Sequence, residues 1–178
     1  MISQTHTITK ENKMKYMFVL SAFILLLINA CTQKAEKIDM AAEKAAVKDV
    51  LDKLQQAMTS EDMDMFSALI AHDADMVSFG TDASERWAGW DALKIAMEKQ
   101  NAAFDNMKIA VRDQVIKVSP AGDAAWFSEV MDWSIETGGQ QVNLDGARAT
   151  GVLEKRGGKW LVVQMHFSIG VAGQAAEY

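Results

Sequence analysis

The chain has 178 residues, with 18 basic and 24 acidic side chains, a single cysteine and a single proline. The acidic surplus argues against nucleic acid as a partner, because such binding rests on Lys and Arg neutralising phosphates. One cysteine excludes a disulfide within the chain, and the length suits one principal domain with one core.

The N-terminus reads as a signal segment separate from that domain. Lys10, Lys13 and Lys15 form a basic stretch, Met17 to Ile28 is almost wholly apolar, and Asn29-Ala30 leads into Cys31. The apolar run is shorter than the ~20 residues that cross a bilayer. "INAC" resembles the lipobox of bacterial lipoproteins. That resemblance implies cleavage before Cys31, lipid on its thiol, and an exported protein anchored to the bacterial cell envelope on its periplasmic or cell-surface side. The competing reading is an uncleaved anchor with an incidental cysteine. Met14-Lys15 would also make a compact start, and it leaves the mature chain unchanged. Residues 1–30 hold three lysines and one glutamate, so 31–178 keeps 15 basic and 23 acidic residues.

Polar, alanine-rich residues 31–44 read as a tether, 45–172 as the folded domain and 173–178 as a tail. Val47, Val50, Leu51, Leu54, Ala57 and Met58 recur at helical spacing, which predicts a helix with one apolar face. "TSEDMDMF" offers Thr59 or Ser60 as the cap of a shorter helix through Leu69 and Ile70. "MVSFG" is a short strand, and "ERWAGW" is an extended piece entering a third helix with Asp91 as a cap. From Met107 onward the pattern is β: "MKIAVRDQVIKVS", the turn "PAGD", "AAWFSEVMDWSIE", the loop "TGGQ", "VNLDGARATGVLEK", the turn "RGGK", and a last strand. Helices first and a meandering antiparallel sheet after them predict an α+β domain with the helices on one face of the sheet.

That order, with Phe79-Gly80 before Glu85, Trp87 and Gly89, resembles the SnoaL-like branch of the nuclear transport factor 2-like superfamily. Arg148, Thr150, Val152, Leu153, Lys155, Gly158, Lys159, Trp160, Val163, His166 and Ser168 carry the rest of the resemblance. The tail of the pattern is also similar to the association domain of calcium/calmodulin-dependent protein kinase. The resemblance implies a cone-shaped, curved antiparallel sheet packed against the N-terminal helices around a pocket, and a homodimer formed through the sheet. It says little about reaction, since one fold carries many functions.

Period-two alternation sorts the last strand into Trp160, Val162, Gln164, His166 and Ser168 on one face and Leu161, Val163, Met165, Phe167 and Ile169 on the other. Polar groups buried in dry packing need partners, so the mixed row is expected to line a cavity and the apolar row to form core or dimer interface. Whether Arg148 shares the face of His166 depends on the hairpin. A two-residue Gly157-Gly158 turn puts Ala149 opposite His166. A three-residue loop from Arg156 with a bulge puts Arg148 opposite His166, and the family pattern favours it. The expected ligand pocket is therefore His166, Arg148, Gln164, Ser168 and Trp160, joined by Phe79 and, by family position, Trp87. Arg148 could instead brace the sheet against Glu129, Asp132 or Glu136, and His166 could be a satisfied histidine with no chemistry. Trp126 and Trp133 face opposite ways in a regular strand, so only one can line the cavity.

Catalytic candidates are weaker. An isomerase needs a carboxylate base and a donor for the developing oxyanion. The two tyrosines, Tyr16 and Tyr178, fall in the leader and at the C-terminus, and Asp64, Asp73 and Asp75 suit caps or solvent better than a base. "HDAD" at 72–75 reads as a solvated turn, and neither a metal nor a cofactor is expected. The leading expectation is a lipid-anchored domain that binds a small molecule or acts as a scaffold. The alternatives are an acid/base isomerase, cyclase or hydrolyase acting on a small carbonyl or anionic substrate, and a structural subunit for a protein partner.

Overall fold

The computed structural model describes residues 37–171 and 173, so the signal segment, Cys31 and all of the tail except residue 173 lie outside the described residues. The first helix, α1 (Met40–Thr59), buries Val47, Val50, Leu51, Leu54, Ala57 and Met58, the six residues whose spacing predicted it. It begins inside the stretch read as tether because Asp39 caps it, accepting from the backbone N–H groups of Ala41 and Ala42 at 3.0 and 3.1 Å. The second helix, α2 (Met63–Leu69), starts later than expected. Its cap is Asp62, which accepts from Met65 N–H at 2.9 Å, while Thr59 and Ser60 instead turn their hydroxyls back to carbonyls of α1. Ile70 leaves the helix in an extended conformation and bridges to Val162.

Two short strands follow, β1 (Val77–Phe79) and β2 (Arg86–Ala88), and then α3 (Trp90–Ala103). Gly89, at φ +82°, holds the cap position expected of Asp91, which falls in the first turn. Four long strands complete the domain: β3 (Asp105–Val118), β4 (Ala124–Thr137), β5 (Gln140–Arg156) and β6 (Lys159–Ser168).

The sheet order is β2-β1-β6-β5-β4-β3. The α+β reading with helices on one face of a curved sheet holds, with one difference from the antiparallel meander. β1 joins the last strand in parallel, so Phe79 lies beside His166 and Ser78 beside Met165. One sheet face packs on the helices, and its core holds Phe66, Leu51, Ile70, Met76, Leu93, Leu153 and Val162 almost wholly buried. Each such side chain contributes about 1.5–3 kcal/mol relative to exposure.

Among the described residues Glu129 is the one charged side chain that is buried, and it lies on that inner face. It is 4 % exposed and accepts hydrogen bonds from Gln114 Nε2 at 2.7 Å and Gln55 Nε2 at 3.4 Å. Burial pushes its carboxyl above the ordinary range, partly opposed by those two amides. A raised folded-state pKa adds stability below the unfolded value and loses it as pH rises through the folded value. The melting-temperature difference, Glu129→Gln minus wild type, should therefore grow between pH 4 and pH 7. Carboxyls shifted downward, such as Glu43 and Asp132, are common to both proteins and drop out of this comparison. A difference that stays constant with pH would contradict the shift.

Candidate functional site

The last strand departs from strict alternation. Leu153 pairs with Val162 and Val152 with Gln164, so Val163 is an extra residue, a β-bulge that exchanges the two faces. Before it Trp160 and Val162 point inward, and after it Met165 and Phe167 do. Gln164, His166 and Ser168 are carried to the outer face.

Gly157 and Gly158, at φ +57° and +82°, make a two-residue turn with Arg156 opposite Lys159. The three-residue loop is thus overturned, yet the bulge alters the register again. Thr150 ends opposite His166 and Arg148 opposite Ser168, all on the outer face. Arg148 does share a face with His166, but that face is not the cavity. The carboxylates that could have braced it are engaged elsewhere: Asp132 with Arg112, Glu136 with Asn106 and Glu129 with Gln114.

The cavity lies between α3 and the inner face of the sheet, with a volume of about 600 Å³. Trp133 and Ile135 of β4, Leu144 of β5, and Met165 and Phe167 of β6 form its sheet wall. Met58, Phe66, Leu93 and Met97 close it from the helices, and Trp87, Thr81 and Glu85 stand along its β1–β2 side. Trp133 and Phe167 meet edge to face, with ring centroids 5.6 Å apart. Glu85 and Lys99 are the ionisable residues of the lining. Glu85 accepts from Asp82 N–H at 3.0 Å and from the Thr81 hydroxyl at 3.5 Å, which fixes the loop between the two short strands.

Of the expected pocket residues, only Trp87 lines this cavity. Trp160 points inward below the bulge, where its indole N–H donates to Glu43 at 2.9 Å. Lys155 binds the same carboxylate, and these two bonds hold Glu43 below the usual range. Phe79, 38 % exposed, stands beside His166 on the outer face, with ring centroids 5.7 Å apart and Arg86 over the phenyl ring. Of the two tryptophans of β4, Trp133 is the inward one and Trp126 is half exposed.

"HDAD" is a surface turn, where His72 stacks on Trp90 with centroids 4.3 Å apart and Asp73 pairs with Arg156. Among the described residues no group of three or more His, Cys, Asp or Glu is placed to hold a metal.

A family model described as a SnoaL-like domain matches residues 47–172. The chain belongs to the SnoaL-like domain family. Solved structures share the fold of this SnoaL-like domain. A nuclear transport factor 2-like superfamily protein from Salmonella enterica is 14% identical over 78% of this chain and 98% of its own, with a TM-score of 0.68. A Streptomyces avermitilis member of the NTF2-like family, provisionally named a dehydratase, is 17% identical over 74% and 99%, with a TM-score of 0.66. An NTF2-like protein of unknown function from Pseudomonas putida is 20% identical over 72% and 87%, with a TM-score of 0.60. No curated protein matches the sequence.

Sequence reasoning missed the contribution of α3 to the SnoaL-like cavity. Leu93, Ala96, Met97 and Gln100 repeat at steps of three, one and three, one helical stripe facing inward, and a glutamine on such a stripe was the available signal.

Proposed function

We propose that this SnoaL-like domain binds a small, largely apolar molecule and holds it at the cell envelope through lipid on Cys31. One observation carries the binding reading: a cavity of about 600 Å³ walled by Trp87, Trp133, Phe167, Met165 and Met97. Small-molecule sites fall around 300–1,000 Å³ and are mostly apolar with a few polar groups. The name of the Streptomyces protein raises an acid/base reaction as the second reading. Among the described residues the only carboxylate in the lining is Glu85, already bonded to its own loop, and His166 lies on the opposite face of the sheet.

Nile red, a neutral apolar dye, tests it. Saturable fluorescence enhancement at one dye per domain is expected, and enhancement that stays linear with dye would contradict a defined site.

Anchoring is supported by the basic start, the apolar run and Cys31. Pairing of two copies is supported by a half-exposed outer sheet face bearing Val115, Trp126 and Phe79. Cys31→Ala should move the protein from the membrane to the soluble fraction, where sedimentation should give twice the monomer mass. Retention in the membrane with a cleaved leader would sink the anchor, and a monomer mass would sink the pairing.

A further inference from the structure

We infer that the cavity selects a neutral ring-bearing molecule with one carbonyl-type acceptor, and that Gln100 is the residue that reads that acceptor. This rests on the cavity being a binding site. Gln100 lines the cavity, and its carboxamide nitrogen is buried with no hydrogen-bond partner among the described residues. Nearly all buried polar groups in folded proteins are paired, so an unpaired donor on a residue that borders an unfilled space calls for an acceptor brought by something else. The amide sits on the inner stripe of α3 with Leu93, Ala96 and Met97, whose side chains carry no acceptor stronger than the thioether sulfur of Met97.

Charge narrows the ligand further. Lys99 is exposed, so no cation inside the wall stands ready to neutralise an anion carried into the interior, and Glu85 Oε2 is taken up by Asp82 N–H and the Thr81 hydroxyl. A buried charge without a partner is strongly disfavoured, which makes the enclosed part of the ligand neutral. The indoles of Trp87 and Trp133 and the phenyl ring of Phe167 offer flat apolar walls suited to a planar ring. A ketone, ester or lactone on an aromatic or alicyclic body meets all of these conditions. A free carboxylate does not.

The test uses two probes of nearly the same shape, 2-acetylnaphthalene and 2-isopropenylnaphthalene, in which C=CH₂ replaces C=O. Both are titrated calorimetrically into the soluble domain. In the wild type the ketone-to-alkene affinity ratio should exceed the ratio of their water-to-hexadecane partition coefficients by about tenfold. Gln100→Leu should remove that excess through loss of ketone affinity while the alkene still binds, and Gln100→Met serves if the leucine variant does not fold. Binding of both probes with a wild-type ratio matching partition, or with a ratio unchanged in the variant, would overturn the role of Gln100 and leave the apolar site standing. Failure of both probes to bind would overturn the site and this inference together.

Discussion

Gly151→Ala is expected to destabilise the domain by about 3 kcal/mol and to lower its melting temperature by roughly 10 °C. A Cβ built on Gly151 would meet the backbone carbonyl oxygen of Gln164 at 2.5 Å and the Phe127 ring at 2.6 Å. Neither neighbour yields cheaply. The carbonyl belongs to the bulged strand just past Val163, and Phe127 is 5 % exposed in the core. Alanine also restricts the unfolded chain, a gain of about 0.4–1 kcal/mol, which is too small to offset a clash with backbone. Thermal denaturation followed by circular dichroism reads the result. An unchanged melting temperature would mean that β5 and β6 do not approach closely at the bulge, and the assignment of faces along β6 would fall with it.

Ala96→Trp is expected to abolish Nile red binding, at least a tenfold loss of affinity, with a melting temperature within about 2 °C of wild type. Ala96 faces the cavity from the middle of α3, so an indole there extends into open space rather than into packed core. Overpacking a filled core costs about 1–3 kcal/mol, whereas filling a void adds contacts at little strain. Lost binding together with a large fall in stability would show that the residue is packed, and retained binding would move the dye elsewhere.

Much of the architecture was legible before any coordinates. The six apolar residues of α1, the short strand at Val77–Phe79 and the four long strands follow from periodicity and turn residues, while Arg86–Ala88, read only as an extended piece, pairs as a strand. What failed was long-range. The partner of β1 is the last strand, more than eighty residues away in sequence, and local pattern carries no information on that parallel pairing. Period two also assumes an unbroken ladder, and one extra residue at Val163 reversed the faces of Gln164, His166 and Ser168. The clue was Gly151, an isolated glycine inside a strand, which marks a bulge or a close backbone approach. Polar residues at the end of β6 read as cavity-facing because burial was assumed for that strand, whereas on the outer sheet face His166 is exposed and Gln164 and Ser168 are half-buried. The apolar Met165 and Phe167, assigned to core or dimer contact, are the side chains the ligand space touches. The site is therefore built from the residues that looked least like chemistry.

The central claim is that small molecules enter the inner face of the sheet and not the face bearing His166. Methyl and imidazole NMR signals followed during a Nile red titration test it most directly. Met58, Met97 and Met165, which line the cavity, should shift and saturate together, while the His166 ring signals stay in place. A titration that moves His166 and leaves the three methionines unchanged would contradict the account.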